Sequence, residues 1–152
     1  MIVLDTNVAS ELMRQHPAPQ VERWVRTQSA AQLCTTAVTV AEIRYGIERL
    51  PDGQRKGVLR TAATAIFAMF PDQILPFDAA AADLYAVVVS NCEAAGVPIA
   101  GFDAQIASIC AARGASLATR NLRDFRETGV DLIDPWDEEP DRQRRSAEIC
   151  RH

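Results

Sequence analysis

The sequence predicts an α/β fold arranged on a parallel sheet, and two features carry that prediction. Ile2, Val3 and Leu4 form an apolar run with no turn residue inside it, the pattern of a strand buried on both faces as in a parallel sheet. Behind it, short strand-like segments recur between longer stretches of helical periodicity. The first strand also ends on a carboxylate, Asp5. Ligands of open α/β sheets sit in the crevice outside the carboxyl ends of the strands, so Asp5 stands at the expected functional edge.

A chain of 152 residues, 48% of them hydrophobic, holds one domain with a real core and is too short for two comfortable ones. Sixteen basic residues against 20 acidic give a formal charge of −4, and Lys56 is the only lysine. The acidic excess argues against nucleic-acid binding by overall charge and leaves room for a local arginine surface. Cys34, Cys92, Cys110 and Cys150 stand far apart, and the only histidines are His16 and His152. That set does not make a zinc site. Cys92 and Cys110 sit in apolar helical patterns, where a buried free thiol is expected. With no signal peptide, the expected location is the reducing cytoplasm. No apolar run is long enough to cross a membrane.

Taken in order, Thr6 is positioned to cap a helix carrying Val8, Leu12 and Met13, which stops at the Pro17-Ala18-Pro19 break. Val21 to Thr27 reads as a second amphipathic helix with Val21, Trp24 and Val25 inward. Leu33 to Thr36 is a short strand. Thr39-Val40-Ala41-Glu42 matches a capping box, and Val40, Ile43, Ile47 and Leu50 continue one helical face to Pro51. Gln54 to Phe70 reads as a long helix whose apolar residues are Val58, Leu59, Ile66, Phe67 and Phe70. In Ile74-Leu75-Pro76-Phe77 the proline favours an edge strand. Asp78 caps an alanine-rich helix through Leu84, Val87 and Val88 to Gly96. Gly101-Phe102-Asp103 opens a helix with Ile106, Ile109 and Cys110 inward and Gly114 at its end. Ser116 to Thr119 is a strand, Arg120 to Gly129 an irregular polar connection, and Val130 to Ile133 a last strand before Pro135-Trp136. The domain is expected to span 1–136. Residues 137–152 form a charged C-terminal tail, of a composition that permits disorder.

Asp5, Glu42 and Asp103 each lie just past a strand or near a helix start, and Thr119-Arg120-Asn121 follows a strand with Asp124 close behind. Carboxylates meeting at one edge without histidine or cysteine suit a hard cation, Mg²⁺ or Mn²⁺. Such a cation can activate water, neutralise a scissile phosphate and stabilise the departing oxygen. Each residue also has a structural reading. Glu42 serves as the capping-box partner of Thr39. Asp103 and Asp78 serve as N-caps, Asp83 as part of a solvated face, and Arg120, Arg123 and Arg126 as solvated loop cations.

Taken together, Ile2 to Asn7, Thr39 to Ile47, Asp103 to Ala107 and Ala118 to Phe125 resemble the PIN-domain ribonucleases of the VapC/FitB type, the toxin half of toxin–antitoxin pairs. The resemblance spans nearly the whole chain. It implies a PIN-like three-layer α/β/α sandwich with a central, mainly parallel sheet and the acidic site at the strand ends. By motif position it carries Asp5, Glu42 and Asp103 over as metal-site acids. The fourth catalytic position, often aspartate, is Asn121 here, with Asp124 three residues later; a neutral amide holds water but adds no charge. Thr6 and Thr119 match small hydroxyl positions that support the site.

The resemblance further implies a Mg²⁺- or Mn²⁺-dependent endoribonuclease leaving a 5′-phosphate and a 3′-hydroxyl. Its implied partners are an RNA substrate, a second copy in a homodimer, and a cognate antitoxin that blocks the site and reaches operator DNA through its own domain. Two alternatives stay open: an RNA-processing PIN nuclease outside any toxin–antitoxin pair, and a degenerate PIN module that only binds. A phosphorylation-switched receiver would need a lysine beside its acids. Lys56, in a polar helical stretch, is a poor candidate for that role.

Overall fold

The structure, a computed structural model, describes residues 1–137; most of the charged tail, with Cys150 and His152, lies outside them. Five parallel strands form one sheet in the order β3-β2-β1-β4-β5: β1 (Ile2–Leu4), β2 (Leu33–Thr36), β3 (Ile74–Leu75), β4 (Ser116–Ala118) and β5 (Leu132–Ile133). The predicted parallel α/β architecture is what the chain adopts. β1 lies at the centre, with every residue buried.

Alternation along the strands divides the core. Val3, Cys34 and Leu117 pack with Ile106, Ile109 and Cys110 of α6 (Gly101–Arg113) and Val88 of α5 (Ala79–Ala94). Ile2, Leu4 and Leu33 face the other way, onto Val8 of α1 (Thr6–Leu12) and Val21 and Trp24 of α2 (Pro19–Thr27). Helices therefore cover both faces, which is why β1 has no polar side. A third cluster joins Ala9 of α1 to Ile43 and Ile47 of α3 (Ala37–Glu48) and to Ala63 and Phe67 of α4 (Gln54–Ala68).

Several expectations are corrected. The N-cap of α1 is Asp5, whose carboxylate accepts from the Thr6 N–H, so Thr6 is the first helical residue. The N-cap of α3 is Thr36, which accepts from the Thr39 N–H at 3.0 Å. Thr39 and Glu42 thus form no capping box, and Glu42 stands in the second turn. Pro19 opens α2 two residues before Val21, using a position where a missing N–H costs nothing. Val58 and Val87, apolar residues of α4 and α5, are exposed. Within the connection read as irregular, Leu122–Phe125 forms α7, one turn held by the wholly buried Phe125. β3 is the edge strand that Pro76 predicted.

Lys56 is buried, and its ammonium donates to the Glu48 carbonyl at 3.1 Å and to Asp52 Oδ1 at 3.2 Å. It closes the C-terminal end of α3, where a cation meets the negative end of the helix dipole. Cys34, Cys92 and Cys110 are buried free thiols. Burial and the nearby Asp5 charge push Cys110 up to about 12, which keeps it protonated and unreactive. No helix among the described residues is long and apolar enough to cross a membrane.

Candidate metal centre

The chain leaves β1 toward β2 and β3 on one side and later crosses to β4 on the other. β1 and β4 therefore flank the point where strand order reverses, the crevice in which open α/β sheets bind ligands. Asp5 ends β1, and its backbone N–H donates to the Ala118 carbonyl at 2.9 Å. Thr119 follows β4 beside it.

Asp5 is only 3% exposed, and its carboxylate is fixed from three directions. Oδ1 accepts from the Thr6 N–H at 2.8 Å; Oδ2 accepts from the Thr119 hydroxyl at 2.8 Å and from Asn7 Nδ2 at 3.3 Å. Burial raises its pKa, while the bonds from Thr119 and Thr6 pull it back down. The Thr119 hydroxyl also accepts from the Asn121 N–H at 3.0 Å and from Asn7 Nδ2 at 3.2 Å, so all of its hydrogen-bonding capacity is used. Asn7 Oδ1 in turn accepts from the Arg120 N–H at 3.2 Å. Asn7 thus ties the start of α1 to the turn after β4. The sequence alone did not single it out; its place two residues beyond Asp5, in the first turn of the helix, was the signal that could have.

Glu42 comes from the second turn of α3 and is half-buried. Its Oε1 accepts from the Thr6 hydroxyl at 2.9 Å, and Thr39 Oγ1 lies 3.5 Å from the same hydroxyl and 3.1 Å from Thr36 Oγ1. Burial raises the Glu42 pKa, the bond from Thr6 lowers it, and the charge of Asp5 raises it again.

Asp103 sits in the first turn of α6, whose N-cap is Ala100, so Asp103 is not the cap. Its carboxylate makes no hydrogen bond among the described residues. Burial, and then the charges of Asp5, Glu42 and Asp124, raise its pKa to about 6. Asp124 is exposed in α7, yet its charge reaches Asp103. Asn121 is exposed, and only its backbone takes part in the network. The Arg120 guanidinium stacks on Trp136 at 5.1 Å, and Arg126 pairs with Glu127 at 3.4 Å.

The donor set is all oxygen, and among the described residues no cationic side chain offsets the mutual repulsion felt at Asp103. Both facts fit a hard divalent cation. Among the described residues no three His, Cys, Asp or Glu side chains are grouped closely enough to hold a metal by themselves. A hard divalent cation held by only one or two carboxylates takes its remaining ligands from water and substrate phosphate.

Residues 2–131 match the PIN domain, and that span takes in Asp5, Glu42, Asp103, Asn121 and Asp124. The chain belongs to the PIN-domain family. It is 36% identical over 138 residues to the VapC ribonuclease Y4jK of Sinorhizobium fredii, covering 90% of this chain and 99% of that protein. It is also 36% identical over 137 residues to the toxin FitB of Neisseria gonorrhoeae, covering 90% and 99%. The solved structure of FitAB bound to a DNA fragment superposes with a TM-score of 0.84, at 36% identity over 90% of this chain and 96% of that one. Within the PIN family the chain therefore groups with VapC and FitB.

The hydroxyl of Thr119 offers a test of how the network serves Asp5. Thr119→Val keeps the shape and removes the bond to Oδ2, so the Asp5 carboxylate loses one of the contacts that orient it. The expected result is a loss of Mn²⁺ affinity of about tenfold, within the roughly 10- to 100-fold range for groups that orient metal ligands. Calorimetric titration of both proteins with Mn²⁺ at neutral pH checks it.

Proposed function

We propose that this PIN domain is a Mg²⁺- or Mn²⁺-dependent endoribonuclease and the toxin of a toxin–antitoxin pair. The observation that carries the reading is Asp103: half-buried, without a hydrogen-bond partner among the described residues, and charged against three other carboxylates. A group in that setting awaits a cation. The relatives named ribonuclease and toxin support the choice of reaction and context.

When bound, the cation neutralises the scissile phosphate, lowers the pKa of the attacking water and stabilises the departing oxygen. The chain does the rest. Asp5, its oxygens fixed by Thr6, Thr119 and Asn7, presents a ligand that needs no reordering. Asp103 supplies the second carboxylate. Glu42, steered by Thr6, stands nearby to accept a proton from the attacking water, and its raised pKa suits that task. Asp124 takes the fourth acidic role through its charge on Asp103; Asn121 contributes its backbone and presents its amide to solvent-borne substrate.

The partner that silences such a site is a cognate antitoxin that places an arginine among these carboxylates, where its guanidinium competes with the cation. We further read the active unit as a homodimer, with operator DNA reached only through the antitoxin. The reading is tested by incubating purified, antitoxin-free protein with labelled structured and unstructured RNAs. Cleavage in Mn²⁺ or Mg²⁺ that stops in chelator is expected. Cleavage that persists in chelator, or no cleavage together with no Mn²⁺ binding, contradicts it.

A further inference from the structure

Beside the acidic site lies a cavity of about 350 Å³, within the size of small-ligand pockets, roughly 300–1,000 Å³. It shares Thr6 and Glu42 with the site. Its apolar wall is aliphatic, made by Met13, Ile43, Ile47, Leu50 and Leu59 from α1, α3, the turn after it and α4. Two arginines line it as well. Arg14 is 67% exposed and pairs only with Glu11 among the described residues, and Arg55 is exposed with no ion pair among them. Ser10 adds a hydroxyl that makes no hydrogen bond among the described residues.

We propose that this cavity takes a nucleobase of the RNA chain next to the scissile phosphate, with Arg55 and Arg14 meeting the flanking phosphates. The proposal rests on the ribonuclease reading. Charge complementarity selects the occupant. Carboxylates at one end repel phosphates that carry no cation, and the exposed guanidiniums of Arg55 and Arg14 at the rim attract them, so a polynucleotide crossing from one to the other lays a base over the apolar wall between. Aliphatic walls accept either face of a base, and Ser10 offers one bond to its edge.

Gly46 is part of the cavity wall. It lies inside α3, where glycine costs helix stability relative to alanine. A Cβ built there meets no atom within 4 Å, so packing does not demand the glycine. Gly46 lines the cavity, and a larger side chain would project from its wall.

The test is NMR titration of isotope-labelled full-length protein, wild type and Gly46→Ala, Gly46→Leu and Arg55→Ala, with the four nucleoside 5′-monophosphates and with ribose 5-phosphate. The nucleotides should shift the Gly46 amide and the Met13 and Leu59 methyl signals, and ribose 5-phosphate should not. Gly46→Leu should weaken nucleotide binding about tenfold or more, the scale on which apolar pockets discriminate by size. Gly46→Ala should bind nearly as wild type and confirm that the helix tolerates a side chain. Arg55→Ala should weaken binding up to about fivefold, as expected of an exposed charge contact. Signals indifferent to all four nucleotides overturn the proposal and leave the cavity to a protein partner. Equal shifts with ribose 5-phosphate also overturn it, because the base is then not what is recognised. Since binding is read without cleavage, a protein that binds nucleotides here but neither cuts RNA nor binds Mn²⁺ sinks the nuclease reading and leaves the cavity a nucleotide site. An active nuclease whose cavity ignores them does the reverse.

Discussion

Asp103→Asn should abolish RNA cleavage while the protein stays folded. Among the described residues its carboxylate makes no hydrogen bond, so the substitution breaks no internal contact. On the proposed reading it removes a charge that would hold the cation. A fall in kcat/KM of at least about a hundredfold is expected, the size of effect seen when one fixed electrostatic group is removed from a hydrolytic site. Asp5→Asn should be as damaging to activity but less benign to the fold, because its Oδ2 accepts from Thr119 and Asn7 and an amide nitrogen in that place faces two donors. Cleavage kinetics beside circular dichroism separate the two effects. An Asp103→Asn protein that retains metal-stimulated cleavage would remove the basis of the assignment.

The second large effect is on metal-free stability. Asp103 titrates at about 6 in the folded protein against an ordinary 3.8, so between those values the folded state holds the extra proton. Stability contributed by that proton is present below about pH 4 and lost as pH rises toward about 6 and beyond. Asp5 and Glu42 are raised in the same direction and steepen the decline. For Asp103 the loss is on the order of 1 kcal/mol once solvent screening of the half-exposed carboxylate is allowed for. In chelator, urea unfolding should therefore give a lower midpoint at neutral pH than at about pH 5, and Asp103→Asn should flatten that slope. Added Mn²⁺ at about a hundred times its Kd should restore about 2.7 kcal/mol at neutral pH, or a rise in Tm of several degrees. A midpoint indifferent to pH in chelator and to Mn²⁺ at neutral pH would speak against a crowded acidic metal site.

How much of this was legible in the sequence depended on the range of the interactions. The buried first strand and its terminal Asp5 could be read because an uninterrupted apolar run such as Ile2 to Leu4, closed by a carboxylate, fits few structures besides a strand covered on both faces. The caps could be placed only to within a few residues. Asp5 and Thr6 are adjacent good N-caps, and so, three residues apart, are Thr36 and Thr39; burial of Thr39 and the position of the strand end decide which is used. Glu42 was therefore given the wrong local partner: it accepts from Thr6 and not from the start of its own helix. Residues whose roles come from distant partners were harder still. The bond from Asn7 to Thr119 spans 112 residues of sequence, and Lys56 is buried only because the end of α3 returns a carbonyl to it. α7 is a single turn, too short for periodicity, and is held by the burial of Phe125. Nothing in the spacing of Asn121 and Asp124 tells that the charge of Asp124 reaches Asp103 in the folded chain.

The central claim is that these carboxylates direct a water molecule, with a divalent cation, against an RNA phosphodiester. It is tested most directly by analysing the ends of RNA cut by the wild-type protein with Mn²⁺ in ¹⁸O-labelled water. The account predicts 5′-phosphate and 3′-hydroxyl ends, with the label incorporated into the 5′-phosphate. A 2′,3′-cyclic phosphate and a 5′-hydroxyl would mean that the substrate's own 2′-hydroxyl was the nucleophile, and would contradict it.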